Sequence, residues 1–160
     1  MELPDFHIPH AEKIEWMLET SGWAIEPVAA EHHTVPPTPA YAYTIGVHQL
    51  TGFPDLVVFG MRPSSAKGLF DLVVDALRGG TEIPIGVEVV GLFDNDLRCA
   101  FANVDTDELG ALFATAAAWY KGEPFPMVQL LYPDRNGFMP YETGFDADLV
   151  PSQPVIGTFD

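Results

Sequence analysis

The chain has 160 residues, 48% of them hydrophobic, and carries 23 acidic against 7 basic side chains, a formal net charge of −16. This length suits one domain, and a chain of this size buries about 70% of its extended surface on folding. The apolar content argues against a disordered chain. The single cysteine excludes an intrachain disulfide and any metal site that needs several thiolates.

The charge balance also bears on partners and location. Proteins that bind nucleic acids or anionic membrane surfaces present Lys and Arg to phosphates, so we expect neither partner here. The acidic residues are spread along the chain, which is typical of a solubility device; the alternative is an acidic interaction or inhibitor protein that binds a basic partner. The N-terminal residues lack a signal-peptide pattern, and apolar runs such as 56–59 are far shorter than a membrane span of about 20 residues. We therefore predict a cytoplasmic protein.

The first predicted helix covers about residues 10–20, where the apolar residues share one helical face, and Gly22 lies where a left-handed cap ends a helix. Residues 23–28 follow as a short strand. The proline-rich stretch 31–39 is compatible with neither a helix interior nor a central strand.

Two β-rich segments, 41–47 and 56–59, predict a hairpin closed by a turn at Gly52 and Pro54. The strongest helix signal runs from Pro63 to Gly79. A single apolar stripe predicts that this helix packs on the core, and it comprises Leu69, Phe70, Val73, Val74 and Leu77.

Residues 87–93 and 97–103 predict two strands around an Asp-Asn-Asp turn. Asp105 with Glu108 resembles a capping box that opens a helix to about Tyr120. A last strand follows at 127–132. The hairpins favour a single α+β domain over 1–160, with a mostly antiparallel sheet and about three helices packed on it, an N-terminal arm at 1–9 and an irregular C-terminal tail at 138–160.

Histidines occur in two pairs, His7 with His10 and His32 with His33, and nearby glutamates are the residue types that zinc uses. The pairs lie in irregular segments, where surface histidines are the ordinary interpretation. We predict no metal and no cofactor.

The candidate site residues follow the ends of the apolar strands. His48 comes just after the 41–47 strand, which also holds Tyr43 and Thr44, and loop positions on a rigid scaffold often carry function. Gln129 is the polar residue of the last strand, so its amide either bonds another segment, such as the C-terminal tail, or points into a cleft. Asp134 is placed either to stabilise its own turn or to act as a catalytic carboxylate. Glu142 is a second candidate for a catalytic carboxylate.

Several short motifs in a fixed order resemble the bacterial family described as domain of unknown function 4262. They are Gly22-Trp23, Tyr43 to Val47, Phe53 to Leu56, Gln129 to Asp134, Pro140 to Glu142, and Gln153-Pro154. This chain differs from the family pattern at three positions. The family more often has Leu where this chain has Val47, Glu where it has Asp55, and Trp where it has Tyr141. The resemblance implies no activity; it implies that one constellation is shared, namely Thr44, Gly46, Gln129, Pro133, Asp134, Gly137, Glu142 and Gln153.

We predict a domain that binds an unknown small molecule or a protein partner. Its pocket would form where residues 43–48 meet residues 129–142. Tyr43 and Tyr132 would form its walls, and Thr44 and Gln129 its polar contacts. The alternative is a small hydrolase-like enzyme with an acid/base pair from His48, Asp134 or Glu142.

Overall fold

A computed structural model describes residues 8–160, so most of the predicted N-terminal arm lies outside the described residues. The chain forms six strands: β1 (Ala24–Val28), β2 (Tyr41–Ile45), β3 (Asp55–Phe59), β4 (Glu88–Val89), β5 (Cys99–Val104) and β6 (Met127–Leu131). They make one open sheet in the order β1-β2-β3-β6-β5-β4. All neighbours are antiparallel except β3 and β6, which run parallel. The predicted α+β class and the β2–β3 hairpin are confirmed.

Four α-helices accompany the sheet: α1 (Ala11–Ser21), α2 (Val47–Thr51), α3 (Pro63–Arg78) and α4 (Ala114–Trp119). The extra helix, α2, occupies the hairpin connection, which was predicted as a loop. It lies between Gly46 and Gly52, whose φ angles of 96° and 84° are readily adopted only by glycine. Within residues 8–160, no helix combines the length and apolarity needed to cross a membrane.

Helices and loops cover both faces of the sheet. On one face, Phe70, Val73 and Val74 of α3 are buried against Leu56 and Leu130, as the apolar stripe predicts. On the other face, α1 and the segment 109–120 pack over β1, β2 and β3. The C-terminal residues cover β5 and β6 on that second face.

The predicted strands on either side of residues 94–96 are shorter than expected. β4 has only two residues and lies between Gly86 and Gly91, whose φ angles of 89° and 94° are outside the range of an extended strand. Gly86 still donates its N–H to the carbonyl of Phe101 in β5 at 2.9 Å. Residues 94–96 form a 3-10 turn, and β5 begins at Cys99.

The helix predicted from Asp105 is only partly formed. The Asp105 carboxylate accepts the N–H groups of Asp107 and Glu108 at 3.0 and 3.1 Å, but the chain continues as a 3-10 turn and becomes α-helical only at Ala114. The N–H of Thr115 donates to the hydroxyl of Tyr43 at 3.2 Å. A tertiary contact thus satisfies a donor that a continuous helix would use internally.

The C-terminal segment 138–160 holds no strand or α-helix and lies along the sheet. Thr158 exchanges two backbone hydrogen bonds with Asn103 of β5, at 2.7 and 2.8 Å. Gly157 has to be small, because a Cβ there would lie 2.6 Å from the Cβ of Ala102. The segment therefore contacts the strands with its backbone.

We expect Val73→Ala to lower the free energy of unfolding by about 1–3 kcal/mol, because Val73 is fully buried under the sheet. Leu72→Ala is the matched control: Leu72 lies on the solvent side of α3 and is 50% exposed, so its truncation should change stability by less than about 0.5 kcal/mol. Urea denaturation followed by circular dichroism measures both. Equal losses in the two variants would contradict the assigned face of α3.

Candidate functional site

The pocket predicted between residues 43–48 and residues 129–142 does not form. Thr44 lies near the end of β2, beside the start of β3, and His48 follows it in α2. Tyr132 follows the end of β6, beside the end of β3, and its hydroxyl donates to the carbonyl of Phe59 at 2.6 Å. The length of β3 therefore separates the two groups, because β6 pairs parallel to β3 and carries Tyr132 to the far end.

At the near end, Thr44 belongs to a network centred on the buried carboxylate of Asp55. One carboxylate oxygen accepts the Thr44 hydroxyl at 2.7 Å and the N–H of Val47 at 2.9 Å. The other oxygen accepts the hydroxyl of Tyr120 at 2.7 Å, and this hydroxyl in turn accepts the N–H of Gly46 at 2.8 Å. The network joins the hairpin to the end of α4.

Burial raises the pKa of Asp55 above its ordinary value, while the hydrogen bonds from Tyr120, Thr44 and Val47 oppose that shift, as does the charge of nearby His48. Burial, and then the charge of Asp55, raises the pKa of Tyr120. Every buried polar side-chain atom in the part of the chain that the structure describes has a hydrogen-bond partner. The network is therefore fully satisfied, and its bonds are internal to the fold.

His48 is exposed and lines a small cavity of about 300 Å³, together with Tyr120 and Lys121. Tyr43, which was predicted as a pocket wall, is buried against Phe113 on the second face of the sheet, with ring centroids 5.2 Å apart. Neither residue therefore lies near Tyr132.

Gln129 bonds the C-terminal segment, the first of the two alternatives that its position allowed. Its amide donates to the carbonyl of Pro154 at 2.7 Å and accepts the N–H groups of Ile156 and Gly157 at 2.9 and 3.1 Å. Gln153 adds a second clamp, accepting the N–H of Tyr132 at 3.1 Å and donating to its carbonyl at 3.2 Å. Two buried glutamines thus fasten this segment to β6 and the residue after it.

Asp134 and Glu142 also have structural partners. The Asp134 carboxylate accepts the N–H groups of Asn136, Phe138 and Asp146 at 2.9 to 3.0 Å. Burial alone would raise its pKa, but these bonds lower it overall. Glu142 pairs with Arg98 and accepts the N–H of Met139 at 2.7 Å, and both contacts lower its pKa. Neither carboxylate pairs with His48, so these three residues do not form the acid/base pair of the hydrolase hypothesis.

Within the described residues, the histidine pairs form no group with metal-binding geometry. His7 lies outside the described residues, and the Nε2 atom of His10 contacts the Glu26 carboxylate at 2.7 Å. Across residues 8–160, no three His, Cys, Asp or Glu side chains are grouped so that they could hold a metal ion.

A cavity of about 1150 Å³ opens at the end of the sheet opposite His48. We call it the loop cavity; it is lined by residues 27–30, 32, 36–42, 60–63, 151 and 152. Its lining is mostly apolar. The proline-rich stretch forms one wall, the start of β2 another, and the turn that follows β3 a third.

Apart from Thr44, the sequence analysis did not identify the side chains that shape the Asp55 network and the loop cavity. Asp55 had a usable signal, because an acidic residue that opens an otherwise fully apolar strand is either paired or misplaced. Arg62 lines the loop cavity and is the basic residue in the short connection between β3 and α3, but the sequence does not show which residues that connection meets. Tyr120 carried no such signal, since its partner lies 65 residues away.

A family model described as domain of unknown function DUF4262 matches residues 17–146. The chain belongs to this family. Searches of curated proteins and of solved structures returned no significant match. The matched range of this DUF4262 chain includes the Asp55 network, Gln129, Asp134 and Glu142, and it ends before Gln153. The two glutamine clamps, the Asp134 and Glu142 carboxylates and the Asp55 network all make contacts within the fold.

In this DUF4262 protein, Gln129→Leu should release the C-terminal segment, because the N–H groups of Ile156 and Gly157 lose their acceptor. We expect the free energy of unfolding to fall by about 1–3 kcal/mol. Backbone hydrogen exchange at these two residues should accelerate. Gln49→Leu, at an exposed glutamine of α2, is the control. Unchanged protection of Ile156 and Gly157 would refute the clamp.

Tyr120→Phe should destabilise the protein increasingly as the pH rises. Burial already raises the folded-state pKa of Asp55, so its ionisation reduces stability as the pH rises through that value, and loss of the Tyr120 hydroxyl raises the pKa further. We expect a deficit of about 1–3 kcal/mol at neutral pH and a smaller one near the ordinary Asp pKa of about 3.9.

Tyr41→Phe provides the matched control for this pH series. The Tyr41 hydroxyl donates to the carbonyl of Leu112 at 2.7 Å. Burial raises the pKa of this hydroxyl to about 12, and a backbone carbonyl does not titrate, so the bond is unchanged across the acidic range. Its deficit should stay constant with pH. Parallel pH profiles for the two variants in urea denaturation would contradict the role of Asp55.

Proposed function

We propose that this protein is a binding domain for a small, largely apolar molecule that occupies the loop cavity. The observation that carries the proposal is the cavity itself, which combines a volume of about 1150 Å³ with a mostly apolar lining. Ligand sites in proteins are typically concave, mostly apolar and roughly 300–1,000 Å³ in volume, so this cavity is slightly larger than the typical site. The cavities of about 300 Å³ at His48 and about 810 Å³ beside the start of α1 have more polar linings.

The position of the loop cavity supports this proposal. It lies at the carboxyl end of β3, where the chain leaves the sheet for α3, and its walls include the ends of β1 and β2. Loops on a rigid sheet can also vary their contacts without disturbing the core.

The composition of the lining favours a preformed site. Six lining residues are prolines: Pro27, Pro36, Pro37, Pro39, Pro63 and Pro151. Because the proline ring fixes φ, such a wall loses little conformational entropy when a ligand binds. Tyr41 offers a ring for apolar contact, and its hydroxyl is already engaged with Leu112.

We favour binding over catalysis because His48, Asp134 and Glu142 lie away from this lining, and both carboxylates have structural partners. The ligand would be held by shape and apolar contact.

A neutral fluorophore tests the proposal. N-phenyl-1-naphthylamine should bind the protein saturably, with brighter, blue-shifted emission. Ala40→Trp, which fills the loop cavity, should weaken binding about tenfold or more, because even partial loss of contact area costs over 1.4 kcal/mol. Ala111→Trp, at an exposed site outside the cavity, should bind as the parent does. Absence of saturable binding, or equal affinity in folded Ala40→Trp, would contradict the proposal.

A further inference from the structure

We infer that the ligand of the loop cavity is an amphipathic anion, an apolar molecule with one carboxylate or similar acidic group that pairs with Arg62. This inference rests on the proposed function and adds the chemical class of the ligand. It is carried by the charge of the cavity lining, which differs from that of the rest of the chain.

The lining of the loop cavity holds no acidic residue. In the whole chain 23 of 160 residues are acidic, so 18 residues drawn at random would include about two or three. The ionisable side chains present, apart from Tyr41, are Arg62 and His32, both exposed and both basic. The lining itself is therefore free of acidic side chains, although Glu31 and Glu26 lie near enough to raise the pKa of Tyr41.

The Arg62 side chain has no ion-pair partner among residues 8–160. Two lysine or arginine side chains do: Arg98 pairs with Glu88 and Glu142, and Lys67 pairs with Asp71 at 2.8 Å. Arg135 also has no ion-pair partner among those residues, and Arg62 differs from it by lining the loop cavity. An arginine of the cavity lining that has no ion-pair partner among the described residues can pair with an external anion. The planar guanidinium binds a carboxylate or sulfonate through two parallel hydrogen bonds.

The net charge limits which anions can bind. A charge of −16 repels small inorganic anions, and one exposed arginine offers them little compensating energy. An anion with an apolar body gains most of its affinity from the cavity wall, and its acidic group then interacts with Arg62 beside a low-dielectric surface. The class that fits is therefore an organic anion with an extended apolar portion.

Two fluorophores that differ by one acidic group test this inference. N-phenyl-1-naphthylamine is neutral, and 8-anilinonaphthalene-1-sulfonate is the same skeleton with a sulfonate. We expect Arg62→Gln to weaken binding of the sulfonate about tenfold, which corresponds to loss of one charge-assisted contact. Binding of the neutral probe should change less than about twofold, which also shows that the variant is folded.

Arg135→Gln is the matched control, because Arg135 is an exposed arginine outside the cavity lining. It changes the net charge by the same amount, so it should leave both affinities unchanged if long-range charge is not the cause. Equal sulfonate losses in the two arginine variants would overturn the inference. So would an Arg62→Gln variant that binds the sulfonate as the parent does, or that loses both probes equally.

Failure of the inference and failure of the proposed function give different results. If neither probe binds the parent protein, the loop cavity is not a ligand site and both fail. If the neutral probe binds and the sulfonate shows no dependence on Arg62, the cavity remains a binding site and the anionic class is wrong. Inorganic phosphate at millimolar concentration should not displace either probe. Displacement would show that an anion needs no apolar portion to bind, and it would also overturn the inference.

Discussion

The buried carboxylate of Asp55 is the constraint on which the arrangement of this fold depends. A carboxylate without solvent exposure is costly unless hydrogen-bond donors surround it. Its donors here come from β2, from the start of α2 and from the end of α4. Satisfying one side chain therefore requires the hairpin to close in one register and Tyr120 to approach it. The segment before Tyr120 then covers Tyr43 and the second face of the sheet.

The opposite end of the molecule is organised by backbone contacts of the C-terminal segment. Gln153 holds that segment beside Tyr132, and the preceding residue, Ser152, lies close enough to Gly60 that a Cβ on this glycine would come within 3.0 Å of its carbonyl oxygen. Ser152 and Gly60 both line the loop cavity. The walls of the candidate site are thus tied to the sheet by the same contacts that fasten the C-terminal segment.

The sequence predicted most of the local structure and little of the site. Periodicity located α1, α3 and the central strands, because apolar side chains at helical or strand spacing must face a core. It overestimated β4 and the helix after Asp105, where glycine dihedrals and the bond between Thr115 and Tyr43 decide the outcome.

The predicted pocket was wrong for a different reason. Strand order and direction set which ends meet, and nothing local in residues 127–131 reveals that β6 lies parallel to β3. Tyr132 and Asp134 are consequently carried away from Thr44 and His48. The partners of Asp55 and Gln129 are equally distant in sequence, so the spacing of residues could not identify them. The polar character of Gln129 in an apolar strand did predict that it had a partner.

The place of β6 in the sheet has a consequence for biosynthesis. It is the last strand in the chain, yet it lies between β3 and β5. During translation the β1–β2–β3 unit and the β4–β5 pair emerge from the ribosome with their inner edges unpaired, and such edges are the surfaces that associate wrongly with other chains. The two halves can join only after β6 has emerged, so the edges of β3 and β5 stay open until the final strand is made.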